Sequence, residues 1–333
     1  MNDRIILPFT DAPTALTYHY IAFSLGIIQG NAQESVAPWM SSRSINCWFS
    51  PASDINFSFD EADNWAIKDK ILFHQQIDLF RDQYDAIIGG NHVSLLKKMI
   101  RLGYYPHGAY NEEFIPGKTA FQNGYHEHDF ILFGYDDDIQ SFISAGYLSD
   151  KKYQRFFIPY ECMERAISTL RRDKIYYSFW KYNQEATYQL NSQKITQDLT
   201  DYLNSTNSQR EHIEGRTWGL SALIDTGKFI LDCYEKEKYI DHRCTRAVME
   251  FKKLMHMRID YLLSSKILAD QKYLDCARDA FHLSEVAHLL GVKFRLTKEK
   301  NIAYDINEIC KKIVVLENSY LPDVLLDVQH SMC

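Results

Sequence analysis

Apolar positions along the chain first follow a mixed rhythm and then a purely helical one. Over residues 14–29 they recur at helical spacing, with Thr14 placed as an N-cap and Gly30-Asn31 as a stop. Residues 44–49 and 55–59 read as two strands around a Pro51-Ala52-Ser53-Asp54 turn. Residues 71–84 read as a helix, and residues 91–102 as an amphipathic helix closed by Gly103. Strands are predicted over 103–110, 129–135, 141–147, 155–158 and 175–182. A helix over 159–171 interrupts them, because Pro159 fits a first helical turn. After a helix over 196–204, Ser205-Thr206-Asn207-Ser208 is the most linker-like run. Only helices follow, over 218–235, 241–263, 271–290 and 307–316. The pattern predicts an α+β domain over residues 1–204 and a helical domain over 205–333.

Composition narrows the classes of function. Hydrophobic residues make up 46% of the 333, enough for a sizeable core. The net charge of −7 argues against a broad nucleic-acid surface, which needs clustered Lys and Arg. No apolar run approaches membrane-spanning length and no secretory leader is visible, so the expectation is a cytoplasmic protein with no membrane partner. The seven cysteines are odd in number, widely spaced and without a C-x-x-C pair, which predicts reduced thiols. GxGxxG, P-loop and HExxH motifs are absent, and the expectation is no cofactor and no metal.

The candidate chemistry centres on Tyr125-His126-Glu127-His128-Asp129, followed by the apolar Phe130-Ile131-Leu132-Phe133 and a Gly134-Tyr135-Asp136 turn. A histidine opening a rigid strand suits a general base, since imidazole exchanges protons near neutrality. A plain surface or capping histidine is the other reading. His126 would share a face with His128, whereas Glu127 would point to the opposite one, leaving a paired-histidine metal site short of ligands.

These residues carry a resemblance. Residues 102–116, Leu-Gly-Tyr-Tyr-Pro-His-Gly-Ala-Tyr-Asn-Glu-Glu-Phe-Ile-Pro, resemble the G-x-P-V-x-x-x-x-D-x-Y-Y-L-P segment of the butirosin biosynthesis protein H N-terminal-domain-like family. Residues 128–136 resemble its H-x-h-h-h-x-G-Y-D segment, and residues 157–166 resemble the helix that closes its domain, with h an apolar residue. Residues 241–263 are similar to the helical C-terminal half of proteins found beside peptide-antibiotic gene clusters. The resemblance implies a papain-like, bacteriocin-leader-peptidase-like N-terminal domain. It also implies a Cys-His pair that moves acyl groups from carrier-protein thioesters onto amines in natural-product biosynthesis. The implied partner is an acyl carrier protein or a peptide substrate.

The chain departs from that pattern at two places. The family nucleophile is a cysteine at the start of the first core helix, where the macrodipole favours the thiolate. Here that start reads Ala15-Leu16-Thr17-Tyr18-His19-Tyr20, with Tyr18 or His19 near the nucleophile position. Cys47, or a hydroxyl at Thr17 or Tyr18, is then the candidate attacking group. The family's orienting acid would fall at Ser144-Ala145-Gly146-Tyr147, so Asp136 is the acid left available. Asp11, Asn111 and Glu112 read as loop caps or as lining of a cleft. Lys97, Lys98 and Arg101, and also Arg171, Arg172 and Lys174, form basic clusters able to meet an acidic carrier protein or to be solvated helix ends. Two readings stand: an acyltransferase with His128, Cys47 and Asp136 as its triad, and a degenerate papain-like pseudoenzyme that binds a biosynthetic partner.

Overall fold

A computed structural model describes residues 3–31, 37–53, 55–59, 73–80, 83, 86, 91–171, 176–185, 187, 189–209, 213–238 and 241–331. The protein is α+β, with an antiparallel sheet region followed by a helical part. It divides into two compact units. Unit 1 comprises residues 1–33 and 63–187, and unit 2 comprises residues 34–62 and 188–333. The boundary expected at 204/205 is therefore displaced, and a segment of the N-terminal half belongs to the helical unit. The linker-like run explains part of this. Thr206 and Ser208 donate backbone and hydroxyl hydrogen bonds to Asp201, which makes the run a tied-down turn inside unit 2.

Unit 1 is built on a seven-stranded antiparallel sheet. Its strands are β1 (Arg4–Ile6), β4 (Phe73–Phe80), β5 (Tyr104–Asn111), β6 (Glu127–Asp136), β7 (Ser141–Tyr147), β8 (Tyr153–Pro159) and β9 (Tyr176–Tyr182), in the order β4-β9-β5-β6-β7-β8. Strands β2 (Trp48–Phe49) and β3 (Phe57–Ser58) belong to unit 2. β6 is long enough to pair twice along one edge, its first half with β5 and its last three residues with β1. Gly134 makes the second pairing possible, because a Cβ there would lie 2.6 Å from the Ile5 carbonyl oxygen. The helix predicted over 71–84 is wrong where it is described: Phe73–Phe80 is strand β4, paired with β9.

Helices complete the unit. α1 (His19–Asn31) starts five residues after the expected Thr14 cap, and Thr14 instead bonds the side chain of Gln29. Phe9 explains how α1 docks. Its backbone runs so close to Gly30 that a Cβ there would meet it at 2.6 Å, and its ring stacks on Phe133 of β6 at 4.3 Å. α3 (His92–Arg101) has a strong apolar face and an Asn91 cap that accepts from the Ser94 N–H. Together with α4 (Tyr160–Ser168) it covers alternate strand residues, including Tyr110, Phe130, Leu132, Phe142 and Ile158.

Unit 2 contains α2 (Ala37–Ser41), α5 (Ser192–Leu203), α6 (Gly219–Glu235), α7 (Arg243–Ser264), α8 (Lys272–Thr297) and α9 (Lys300–His330), with β2, β3 and β10 (Thr217–Trp218) as a small sheet. Its core holds a fully buried pair, Lys252 and Glu317, 2.7 Å apart, with the Tyr202 hydroxyl bonded to both. Buried Arg258 is satisfied by the carbonyls of Ser41, Arg43 and Ser44. Among the described residues no helix is long and apolar enough to cross a membrane.

Candidate functional site

His128 is the second residue of β6, paired across the strands with Tyr110 of β5. The chain leaves β5 through a 3-10 turn, Glu112–Phe114, which brings Glu112 back over the start of β6. Three bonds fix that return. The Glu112 N–H donates to the His126 carbonyl at 2.7 Å, and the Asn111 side-chain oxygen accepts from the His126 and Glu113 N–H groups, each at 3.1 Å. Asn111 is thus a cap, as one reading of the sequence had it, and its capping is what assembles the site.

Glu112 is the acid of this cluster. Its Oε1 lies 2.9 Å from His128 Nδ1 and 3.3 Å from Lys118 Nζ, and its Oε2 lies 4.0 Å from His126 Nε2. The Glu112 and Lys118 side chains are 7% and 2% exposed, whereas His128 and His126 are 40% and 59% exposed. The cluster therefore has a buried ionic floor and an imidazole rim open to solvent. Burial works to raise the Glu112 carboxyl, but the His128 hydrogen bond and the Lys118 charge outweigh it and hold it below the ordinary range. Burial also pulls the Lys118 ammonium below its ordinary range, against the opposing effect of Glu112.

Lys118 is anchored by a 2.9 Å bond to the Tyr147 carbonyl. A Cβ at Gly146 would stand 3.3 Å from its Nζ. Beside Gly146-Tyr147 there is thus a cation, and the carboxylate bonded to His128 comes from the turn after β5.

The first turn of α1 completes the arrangement. His19, its first residue, packs its ring 4.3 Å from the His128 ring, centroid to centroid, and lies 5.8 Å from that of Tyr147. Thr17 and Tyr18 precede it, Thr17 buried and Tyr18 packed on Tyr20 at 5.4 Å. The first residue of α1 is thus an imidazole in contact with His128.

Two predicted triad members lie elsewhere. Cys47 is in unit 2, 1% exposed, with Sγ 3.4 Å from the Gly219 carbonyl, and burial pushes its thiol well above the ordinary range. A nucleophile needs a thiolate, and this environment opposes one. Asp136 ends β6, eight residues or about 26 Å from His128. There it pairs with Arg4 and accepts from the Asp138 N–H, a structural turn residue. The one cysteine of unit 1, Cys162, sits on α4 against the core, its thiol also raised by burial.

The basic and acidic features read as open also resolve. Lys97 pairs with Asp137, Arg101 with Asp3, and Arg155 with Asp11, so two of the three cations in the Lys97–Arg101 cluster are matched by acids. Arg171 stacks over Tyr125, while Arg172 and Lys174 lie outside the described residues. The sequence offered Glu112 only as a loop cap or cleft lining; its place as the acid beside His128, and the role of Lys118, were not foreseen. The period-2 neighbourhood of Glu112 says nothing of a carboxylate delivered by a turn.

No protein-family model matches the chain, and no curated protein is significantly similar to it.

Proposed function

We propose that unit 1 is a papain-like pseudoenzyme domain, an accessory module for a natural-product assembly partner that has given up thiol chemistry. One observation carries the reading: His19, not a cysteine, starts α1 and rests against His128. Covalent acyl transfer on this fold needs a thiolate at the helix N-terminus within reach of the histidine, and an imidazole cannot form the thioester. The exposed rim of His126 and His128 is then a binding surface for a carrier-protein or peptide ligand.

The test is an acyl-thioester probe presented to the wild type and to H19C. The wild type is expected to gain no covalent acyl mass and to show no turnover sensitive to thiol alkylation. H19C is expected to acquire the acyl group on the introduced thiol, and to lose that reactivity when His128→Ala is added. Alkylation-sensitive turnover by the wild type would end the pseudoenzyme reading.

A second reading is favoured by the 2.9 Å His128–Glu112 bond, which orients the imidazole as the acid of a Ser-His-Asp triad does. His128 then serves as a general base that deprotonates an amine attacking a carrier-protein thioester directly. The leaving group is the carrier thiol, and no acyl-enzyme forms. Amide product made by the wild type, insensitive to alkylation and lost in His128→Ala, distinguishes this reading from the first.

A further inference from the structure

We infer that Glu112, His126 and His128 form a binding site for a divalent transition-metal ion, with Zn2+ as its natural probe. One donor atom from each residue lies within 4.8 Å of the other two. A tetrahedral Zn2+ with bonds of about 2.0–2.1 Å holds its ligands roughly 3.3 Å apart. The contacts bracket that value: Glu112 Oε1 lies 2.9 Å from His128 Nδ1, and Glu112 Oε2 lies 4.0 Å from His126 Nε2. Torsions of the exposed His126 ring close the remaining gap.

The site is prepared by the backbone. His126 immediately precedes β6 and His128 is its second residue, and their rings lie 5.8 Å apart, centroid to centroid. The Asn111 cap and the Glu112–His126 backbone bond hold the carboxylate opposite them. Lys118 binds Glu112 Oε1, which leaves Oε2 turned toward His126. Its positive charge moderates the affinity for a cation, yet it also fixes the carboxylate in one orientation, as outer-shell partners do. Two imidazoles and a carboxylate, with no thiolate, suit Zn2+ and its first-row neighbours. Three protein ligands with the histidines open to solvent leave a coordination position for water or a ligand atom, the arrangement of a reactive rather than a purely structural ion. Sequence spacing alone hid the set, because the third ligand comes from 16 residues before His128.

The inference does not depend on the pseudoenzyme reading, since the measurement needs no partner and no turnover. The full chain, stripped with a chelator, is titrated with Zn2+ against a chromogenic competitor and, separately, with Co2+. One saturable equivalent is expected, weakened more than about ten-fold in H126A and in E112Q, since loss of an outer-shell partner alone reaches that size. His126 is exposed, so H126A keeps its fold, verified by circular dichroism. The Co2+ adduct is expected to show visible d–d absorption without a thiolate charge-transfer band. Zn2+ binding by the H126A/H128A double variant as tight as by the wild type would overturn the assignment, and so would a thiolate band, which moves the ion to a cysteine.

Discussion

Replacing Glu112 by Gln tests the ionic floor on which the site rests. The substitution keeps the shape and removes the charge. At 3.3 Å, the Glu112–Lys118 attraction is worth about 5 kcal/mol at an effective dielectric of about 20. Breaking a buried pair by removing one partner costs about 3–5 kcal/mol, because the other charge stays desolvated. Lys118 keeps the Tyr147 carbonyl, and its Nζ lies 5.1 Å from the Phe156 ring centroid, so the lower end applies. A loss of about 3 kcal/mol lowers the melting temperature of a domain of this size by roughly 6–12 °C. E112Q/K118M is expected to recover most of it, since removing both charges removes the unpaired cation as well. The deficit of E112Q also depends on pH. Burial already lowers the Lys118 pKa, and E112Q removes the carboxylate that opposes it. Between that lowered value and the ordinary lysine value the unfolded chain binds more protons than the native one, so stability rises with pH there. Thermal scans of the wild type, the single and the double variant at neutral and alkaline pH measure all three effects. A single variant within about 1 kcal/mol of wild type, or a double variant no more stable than the single, would refute a coupled buried pair.

Further outcomes follow from other parts of the chain. Native protein treated with iodoacetamide at neutral pH is expected to leave Cys47 unmodified until urea unfolds unit 2, read by peptide mass, because burial both shields the thiol and disfavours the thiolate. Gly134→Ala is expected to push β1 off β6, through the 2.6 Å approach of its Cβ to the Ile5 carbonyl, at a cost of about 1–3 kcal/mol and with faster amide exchange at Leu7, whose N–H bonds the Phe133 carbonyl. Lys252→Met is expected to cost about 3–5 kcal/mol in urea unfolding by stranding the fully buried Glu317, and Lys252→Met with Glu317→Leu to recover much of that.

Much of the fold was legible because it is written in local periodicity. The α3 helix carries its apolar stripe and its Asn91 cap in consecutive residues, and the short Phe130–Phe133 run, closed by the Gly134-Tyr135-Asp136 turn signal, suits a buried strand. Strand β4 was not legible. Its apolar residues suit a helical spacing as well as alternation, and the decision belongs to β9, about 100 residues later. The 205–208 turn looked like a linker because Ser, Thr and Asn are turn formers anywhere, and the bonds that tie this one down come from Asp201, Asn46, Gln197 and Ser221. At the site, His128 announced itself through its strand. Glu112 did not, because its role depends on the β5–β6 register that sets Asn111 opposite Glu127 and lets the following turn fold back.

The same register ties the readings of His128 to a single atom. Nδ1 can donate to Glu112, which leaves Nε2 as a base, or it can ligate an ion, which surrenders the oriented tautomer. Both states cannot be occupied together. Metal loading is therefore expected to suppress any general-base turnover by the wild type and to leave partner binding through other surfaces intact. Turnover that rises in proportion to bound Zn2+ would instead make the ion the agent, with Glu112 its anchor and His128 a ligand. Under the proposed papain-like reading, imidazole and carboxylate stand where the resemblance implies a thiol. The residue that decides this is His19, since a helix start can polarise a thiolate only where a cysteine stands.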